Sequence, residues 1–174
     1  CNRTKPANPA VRALRRQQVA FEEHPYRYQE GGGTRCFSQA TGIHQHLVVK
    51  TLVTEHETGR LMVVLMYGDQ EVSTKALARQ IGVKAVHPCD PGTADRHSGD
   101  QVGGTSPFGT RLNMPVYCQD SIPRLPCIYV NGCRGGYIIP MAAAELTRQA
   151  PDSTLTAFSV GPEHRAPSTE KSGD

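Results

Sequence analysis

The sequence predicts a mixed α/β fold in which helices surround a curled, barrel-like, mixed β-sheet. Three observations indicate this fold: short apolar segments rich in Val, Ile and Leu recur, segments with helix caps separate them, and their order suits a mixed sheet. With 174 residues, 37% of them hydrophobic, the protein is long enough for one domain with its own core. We expect that domain over residues 1–160 and a disordered tail over residues 161–174, where Pro, Ser, Thr and charged residues dominate.

Local capping signals predict the helices. Asn8 followed by Pro9 indicates a helix start, because the Asn amide oxygen can cap and Pro suits the first helical position. The pair Asp90-Pro91 repeats this signal. Ser73 caps another helix, and Gly82 can end it because glycine adopts the left-handed conformation of a C-cap. Helices are therefore predicted at residues 9–18, 37–41, 73–80 and from 91 onward, and the strong helix formers of residues 141–148 predict one more.

A hairpin is the strongest strand signal. Residues 47–53 and 60–66 flank a turn at residues 57–59, and both segments are apolar at nearly every position. A sheet that is apolar on both faces must be covered on both, so we expect helices on each side of it. Further short strands are predicted at residues 19–24, 83–87, 116–119, 127–131 and 136–139.

Composition excludes several classes of protein. No apolar run approaches the roughly 20 residues that span a bilayer, so we expect no membrane association. Six cysteines at irregular spacings, without a C-x-x-C pair, predict reduced thiols and a cytoplasmic protein rather than a disulfide framework. Zinc ligands usually occur in close pairs, and His44-x-His46 and Cys127-x5-Cys133 are poor substitutes for such pairs. We therefore predict no metal and no cofactor.

The positive charge is unevenly distributed. The net charge is only +3, but residues 1–18 contain five basic residues and no acidic one. Arg12, Arg15 and Arg16 share one face of the first predicted helix, opposite Val11 and Leu14. Two interpretations remain open: a solvated helix face, which the pattern alone favours, and a surface that binds a phosphate backbone.

Lys50 is the most unusual residue of the predicted hairpin. On a strand it shares its face with Val48 and Leu52, because residues two apart point the same way. A lysine in such a row is desolvated unless it lies at a sheet edge or on a pocket wall. It is equally consistent with a lysine that protects an exposed edge and with a cation directed at an anion or carbonyl oxygen in a concave site.

Two glycine-rich segments are candidate ligand loops. Residues 102–109 place paired glycines before two hydroxyl residues and a proline, so that the polypeptide backbone could approach an anion closely. Residues 131–136 form a second turn, which carries Arg134. As patterns alone, both are better interpreted as structural turns. No Ser-His-Asp order, G-x-S-x-G elbow or Cys-His signature is present, and Tyr26 could either line a pocket or pack.

Together these motifs resemble the YbaK/EbsC family, the free-standing relatives of the editing domain inserted in bacterial prolyl-tRNA synthetases. The resemblance covers roughly residues 9–150 and depends on the order and spacing of its motifs. It implies a curled mixed sheet surrounded by helices, and the hydrolysis of mischarged tRNA. The motifs are Phe21-x-x-His24-x-Tyr26, Val49-Lys50-Thr51-Leu52, and residues 75–82, 102–109 and 128–135.

The resemblance also implies roles for particular residues. Lys50 matches the lysine on which family members depend, and is the expected catalytic residue. The pair Lys50-Thr51 is similar to members that clear cysteine from proline tRNA, whereas alanine-clearing relatives typically have Asn after the lysine. Tyr137 stands where cysteine-clearing members often have Asp, which leaves the amino acid open. The implied substrate-binding residues are Tyr26, Thr51, Gly103, Gly104, Thr105, Ser106, Pro107, Gly132 and Arg134.

The expected function is therefore that of a trans-editing deacylase acting on mischarged tRNA(Pro), with Cys-tRNA(Pro) as the favoured substrate. Its expected partners are the acceptor end of tRNA(Pro) and, as a candidate, prolyl-tRNA synthetase. The alternatives are a deacylase for Ala-tRNA(Pro) or another aminoacyl-tRNA(Pro), a non-catalytic module that binds tRNA or a synthetase, and a regulatory role in cell-surface expression.

Overall fold

A computed structural model describes residues 9–22, 24–26, 33–98, 105–132, 137–149 and 156–158. The helices are α1 Pro9–Arg16, α2 Gly33–Thr41, α3 Thr74–Ile81, α4 Pro91–Ser98 and α5 Ala144–Gln149. The strands are β1 His24–Pro25, β2 Val48–His56, β3 Leu61–Tyr67, β4 Val86–Pro88, β5 Val116–Gln119, β6 Ile128–Asn131, β7 Tyr137–Met141 and β8 Thr156–Phe158.

These strands form one mixed sheet in the order β1-β7-β6-β2-β3-β5-β8, with β4 paired to β2. The predicted mixed α/β class is confirmed. The barrel-like closure is wrong, because the strand order ends at β1 and β8 and the described residues give no pairing between those two strands. The sheet is therefore open, with the β2–β3 hairpin at its centre.

The central hairpin is apolar on both faces, as predicted. In β3, Val63 belongs to the main core, which also contains Leu14 of α1. The adjacent Val64 points to the opposite face and joins a second core with Leu77 of α3. Since successive strand residues alternate between faces, one strand can supply two cores. Helices thus cover both sides of the sheet at its centre.

The predicted caps define the helix ends. The Ser73 hydroxyl accepts a hydrogen bond from the backbone amide of Ala76 at 3.1 Å, and Gly82 adopts a left-handed φ of 75°. The Asp90 carboxylate accepts from the backbone amide of Thr93 at 2.8 Å, which begins α4. These contacts satisfy backbone groups that a helix terminus leaves free. Asn8, the predicted cap of α1, lies outside the described residues.

Two predicted strands have the wrong bounds for the same reason. The strand expected at residues 19–24 is reduced to β1, because the backbone amide of Val19 returns to the Leu14 carbonyl at 3.0 Å and closes α1. The strand expected at residues 83–87 becomes β4, because the backbone amide of Val83 returns to the Ala78 carbonyl at 3.0 Å. Such six-to-one bonds end helices and bind the following residue to the helix rather than to a sheet.

Other boundaries also differ from the prediction. The helix expected at residues 37–41 begins earlier, at Gly33, and the one expected at residues 141–148 begins at Ala144. Met141 instead pairs with Ile128 in the β6–β7 ladder. Strand β8 was not predicted. No helix among the described residues has both the length and the apolar character needed to cross a bilayer.

Candidate active site

The site lies at a gap in the sheet. One edge of β2 pairs with β3 along residues 49–55. The opposite edge pairs with β6 only through Val48 and Val49, and with β4 only from Thr54 to His56. Residues 50–53 therefore face no strand on that edge in the described structure. A short stretch of central strand is left open between two neighbours.

The strand register determines which backbone groups face this gap. The amide of His56 donates to the Arg60 carbonyl at 3.1 Å, and the amide of Gly68 donates to the Val48 carbonyl at 2.7 Å. Even-numbered residues of β2 thus exchange hydrogen bonds with the β3 side, and the antiparallel alternation directs odd-numbered ones to the other edge. At that edge, the Val53 carbonyl accepts a hydrogen bond from the backbone amide of Cys89 at 3.1 Å. The N–H and C=O of Thr51 point into the gap.

A cavity of about 390 Å³ occupies the gap. Side chains from both faces of β2 line it, together with residues from the start of α2, the segment around the start of α3, and the segment that leads into α4. Its volume falls in the range typical of small-molecule sites. The cavity can therefore hold a compact ligand that lies against the unpaired edge of β2 and contacts side chains from both of its faces.

Lys50 provides the charge of this cavity. Its side chain is half-buried, and Nζ donates a hydrogen bond to the backbone carbonyl of Gln70. Burial lowers the pKa of Lys50, while the carboxylates of Glu71 and Asp69 act in the opposite direction. Among the described residues that line the cavity, Lys50 is the one with a charged side chain. It is thus a cation on a largely uncharged wall.

Thr51 provides an unused hydroxyl. Its Oγ1 is buried and has no hydrogen-bond partner within the described structure. Buried polar atoms are nearly always hydrogen-bonded, so an exception needs an explanation. Thr51 also lines the cavity and presents its backbone N–H and C=O to the gap.

An aromatic ring forms part of the cavity wall. Tyr26 lines it and packs edge-to-face on Phe37, with ring centroids 5.1 Å apart. Phe37 is fully buried and also contacts Tyr129, at a centroid distance of 5.8 Å. The Tyr26 ring is therefore fixed by a buried aromatic neighbour, as a pocket wall requires.

The structure brings four of the predicted residues together. Tyr26, Lys50, Thr51 and Thr105 all line the cavity, although they come from three separate parts of the sequence. Gly103, Gly104 and Arg134 lie outside the described residues. Their role in substrate binding therefore stays a prediction.

Three other predicted residues lie near the cavity but not on its wall. Ser106 and Pro107 are buried behind Thr105, and the Ser106 Oγ accepts from the backbone amide of Phe108 at 3.3 Å. Gly132 is also buried, and a Cβ at this position would lie 2.4 Å from the ring of Tyr137. The contacts of Ser106 and Gly132 thus support the surrounding backbone, and the predicted role of all three residues in substrate binding remains a prediction.

Sequence reasoning missed several residues of the wall. Thr34, Cys89 and Asn131 line the cavity. Asn131 ends an apolar strand segment, a position that could have indicated a polar group at the site, whereas Thr34 and Cys89 carried no such signal. Burial raises the pKa of Cys89, as do the carboxylates of Glu55 and Asp90. Its thiol is therefore neutral near pH 7 and a weak nucleophile.

The loop after α4 connects the cavity to the basic helix. Thr105 lines the cavity, and four residues later Gly109 packs on the start of α1 with a φ of 70°. A Cβ at Gly109 would lie 2.6 Å from the Pro9 carbonyl, so only glycine allows this approach. The exposed side chains on this helix are Arg12, Arg15 and Arg16.

Known proteins share this sequence pattern and fold. The aminoacyl-tRNA editing domain family matches residues 35–149. An Enterococcus faecalis protein named "Putative Cys-tRNA(Pro)/Cys-tRNA(Cys) deacylase EbsC" is 26% identical over 141 residues, which are 80% of this protein and 86% of that one. The predicted resemblance is therefore confirmed.

Solved structures confirm the fold. A crystal structure described as a "putative trans-editing enzyme for prolyl tRNA synthetase" superposes with a TM-score of 0.74 at 20% identity, covering 90% of this protein and 99% of that one. A hypothetical protein gives a TM-score of 0.76 at 15% identity over 86% of this protein and 97% of its own length. Since the family match spans more than half of the sequence and includes β2 with Lys50, this protein belongs to the aminoacyl-tRNA editing domain family.

Proposed function

We propose that the protein is a trans-editing deacylase that hydrolyses mischarged tRNA(Pro), with Cys-tRNA(Pro) as its preferred substrate. The observation that carries the proposal is the position of Lys50, a cation at an open strand edge inside a largely uncharged cavity. Membership of the editing-domain family supports the reaction class. The name of the Enterococcus faecalis relative supports cysteine as the amino acid.

The chemistry requires little from the protein. An aminoacyl ester is already activated, so that positioning and charge stabilisation can provide most of the rate enhancement. No Asp, Glu or His side chain lines the cavity among the residues that the structure describes, and the Cys89 thiol is neutral. Lys50 is therefore assigned to the phosphate or ribose oxygens of the terminal adenosine.

Thr51 is suited to the aminoacyl group itself. Its backbone carbonyl can accept from the α-amino group, while its N–H and its unpartnered hydroxyl can donate to the ester oxygens. Tyr26 would pack against the remainder of the ligand from the cavity wall. In this arrangement a rigid strand holds the reacting ester, which favours catalysis by orientation.

With cysteinyl-tRNA, the substrate can provide its own nucleophile. Its sulfur attacks its own ester carbonyl carbon, the bond to the ribose oxygen breaks, and that oxygen takes the thiol proton. The released product is the cyclic thioester of cysteine, which water then opens to free cysteine. Alanyl-tRNA has no such thiol, so a water molecule would have to attack instead. The Lys50-Thr51 pair favours the cysteine substrate, because similar family members clear cysteine.

The basic face of α1 is the proposed contact for the tRNA backbone. It consists of Arg12, Arg15 and Arg16, which are exposed on the helix that packs against the loop bearing Thr105. Contacts to phosphates position a nucleic acid without reading its sequence. The face would therefore orient the acceptor end towards the cavity without selecting the amino acid.

Single-turnover deacylation of cysteinyl-, alanyl- and seryl-tRNA(Pro), measured side by side, tests the proposal. We expect release of cysteine to be the fastest, with correctly charged prolyl-tRNA(Pro) as the resistant control. Faster release of alanine would support the deacylase activity but would identify Ala-tRNA(Pro) as the preferred substrate. A protein that binds these tRNAs but slows their spontaneous hydrolysis would be a non-catalytic binder, and the deacylase proposal would be wrong.

A further inference from the structure

Gln119, the last residue of β5, is a buried polar side chain that the proposed chemistry does not use. Only 5% of it is exposed. Its Oε1 accepts from the backbone amide of Tyr67 at 3.5 Å, and its Nε2 donates to the side-chain Oε1 of Gln70 at 2.9 Å. A buried amide is tolerated because such bonds satisfy it. Both partners lie where β3 ends, so Gln119 holds the turn that follows this strand.

The strand register explains why a side chain makes these contacts. Tyr67 pairs with Val49, an odd-numbered residue of β2, so its N–H points away from β2 and towards β5. Strand β5 runs parallel to β3 but pairs only as far as Leu65 opposite Cys118. The side-chain Oε1 of Gln119 therefore accepts the hydrogen bond from the Tyr67 N–H, which the β5 backbone no longer reaches.

The same turn holds the amine of Lys50. The backbone carbonyl of Gln70 accepts from Lys50 Nζ, while the Gln70 side chain accepts from Gln119. Gln70 thus connects a buried amide to the cation of the cavity through two different groups of one residue. Carboxylates at Asp69 and Glu71, on either side of Gln70, add to the field at the ammonium.

The turn is also held on its other flank. The Gly68 carbonyl accepts from Thr34 Oγ1 at 3.1 Å and from Gln45 Nε2 at 2.9 Å. A Cβ at Gly68 would lie 2.7 Å from the Gln45 carbonyl, so the two segments are in close contact. Asp69 pairs with His46 at 3.0 Å. With one flank held by these contacts, Gln119 provides the support on the side of β5.

We propose that Gln119 is a positioning residue for Lys50 and acts through Gln70. The inference rests on the proposed function, in which the ammonium of Lys50 binds the adenosine end of the substrate. Small displacements of a positioned group reduce catalysis strongly, because the reacting geometry is held within about 0.5 Å. Loss of the Gln119 amide should therefore affect turnover more than substrate affinity.

Two variants test the connection. Gln70→Ala removes the side chain that Gln119 holds and keeps the carbonyl that Lys50 uses, whereas Gln119→Leu removes both hydrogen bonds of the amide. We expect each to lower kcat about tenfold and to change KM by less than about threefold. The double variant should be no worse than Gln119→Leu alone, since residues that act through one contact are not additive.

Val116→Ala is the matched control for structural damage. Val116 is a buried residue of the same strand, so its truncation destabilises β5 without reaching the turn. This variant should lower the melting temperature and leave kcat near the parent value. If Gln119→Leu does not fold, Gln70→Ala alone tests the positioning role. Gln70 is only half-buried, so its truncation should leave the fold intact.

A readout independent of activity separates this inference from the proposed function. In protein labelled with ¹³C-lysine, the Lys50 signal is assigned through its loss in Lys50→Arg. This signal reports the pKa of Lys50. Both Gln variants should lower that pKa further, because the Gln70 carbonyl is no longer held in place to accept from the ammonium. An unchanged titration in both would overturn the positioning role, even with an active parent protein. A shifted titration in a protein without deacylase activity would support the positioning role and refute the proposed function.

Discussion

Replacing Thr51 with valine should stabilise the protein and weaken its activity. The Thr51 hydroxyl is buried without a partner in the described structure, and an unsatisfied buried polar group costs about 1–3 kcal/mol. Valine has nearly the same shape, so it removes that cost without leaving a cavity. We expect a gain of about 1 kcal/mol in the free energy of unfolding, which raises Tm by about 2–4 °C in a protein of this size.

The same change should reduce deacylation of mischarged tRNA(Pro). One hydrogen bond contributes about 0.5–1.5 kcal/mol, so the single-turnover rate should fall by about two- to tenfold. Thr51→Ser keeps the hydroxyl and should remain active. Thermal melts and single-turnover assays of the same preparations measure both effects.

A matched control is Thr34→Val, which alters a threonine in the same cavity. Thr34 Oγ1 donates to the Gly68 carbonyl at 3.1 Å and accepts from Gln45 Nε2 at 2.8 Å, so its removal should destabilise the protein by about 1–3 kcal/mol. The reasoning about Thr51 is refuted when Thr51→Val lowers Tm as Thr34→Val does, or deacylates at the parent rate.

Three further results are expected. Each of the six cysteines, changed singly to Ser or Ala, should leave deacylation largely intact; loss of turnover in one folded variant would reveal a thiol nucleophile. Replacing Arg12, Arg15 and Arg16 together should weaken tRNA binding and flatten its dependence on salt, because each phosphate contact releases counterions; an unchanged slope would indicate a solvated face. Burial lowers the pKa of Lys50, so the ammonium is lost at a lower pH than in an ordinary lysine. After subtraction of the spontaneous rate, deacylation should therefore decline as pH rises towards 10.5, and Lys50→Arg should not show this decline.

Local signals predicted those parts of the fold that depend on local chemistry. The caps at Ser73 and Asp90 and the apolar hairpin are examples, because their contacts join residues close in sequence. The strand errors after α1 and α3 arose where Val19 and Val83 fold back on the preceding helix. A hydrogen bond of that kind competes with strand formation, and the apolar pattern does not reveal which of the two prevails.

Four residues of the cavity wall could be predicted from the sequence, but the shape of the cavity could not. Lys50 was conspicuous because a cation interrupted an apolar strand, and the family resemblance added Tyr26, Thr51 and Thr105. The gap between β6 and β4 depends on two long-range pairings with one edge of β2, which no local pattern encodes. Gln119 carried no signal in the sequence, because its proposed role depends on a contact with a residue 49 positions away.

The most direct test of the central claim is amino-acid release from Cys-tRNA(Pro) by the parent protein, Lys50→Ala and Lys50→Arg under single-turnover conditions, beside thermal melts of all three. Lys50→Ala should melt normally, because removing a desolvated charge relieves its burial cost, and should lose most of its activity. Lys50→Arg should also be poor, since a planar guanidinium cannot replace a compact ammonium. A normally folded Lys50→Ala protein that releases cysteine at near the parent rate would contradict the assignment of the active site to this strand.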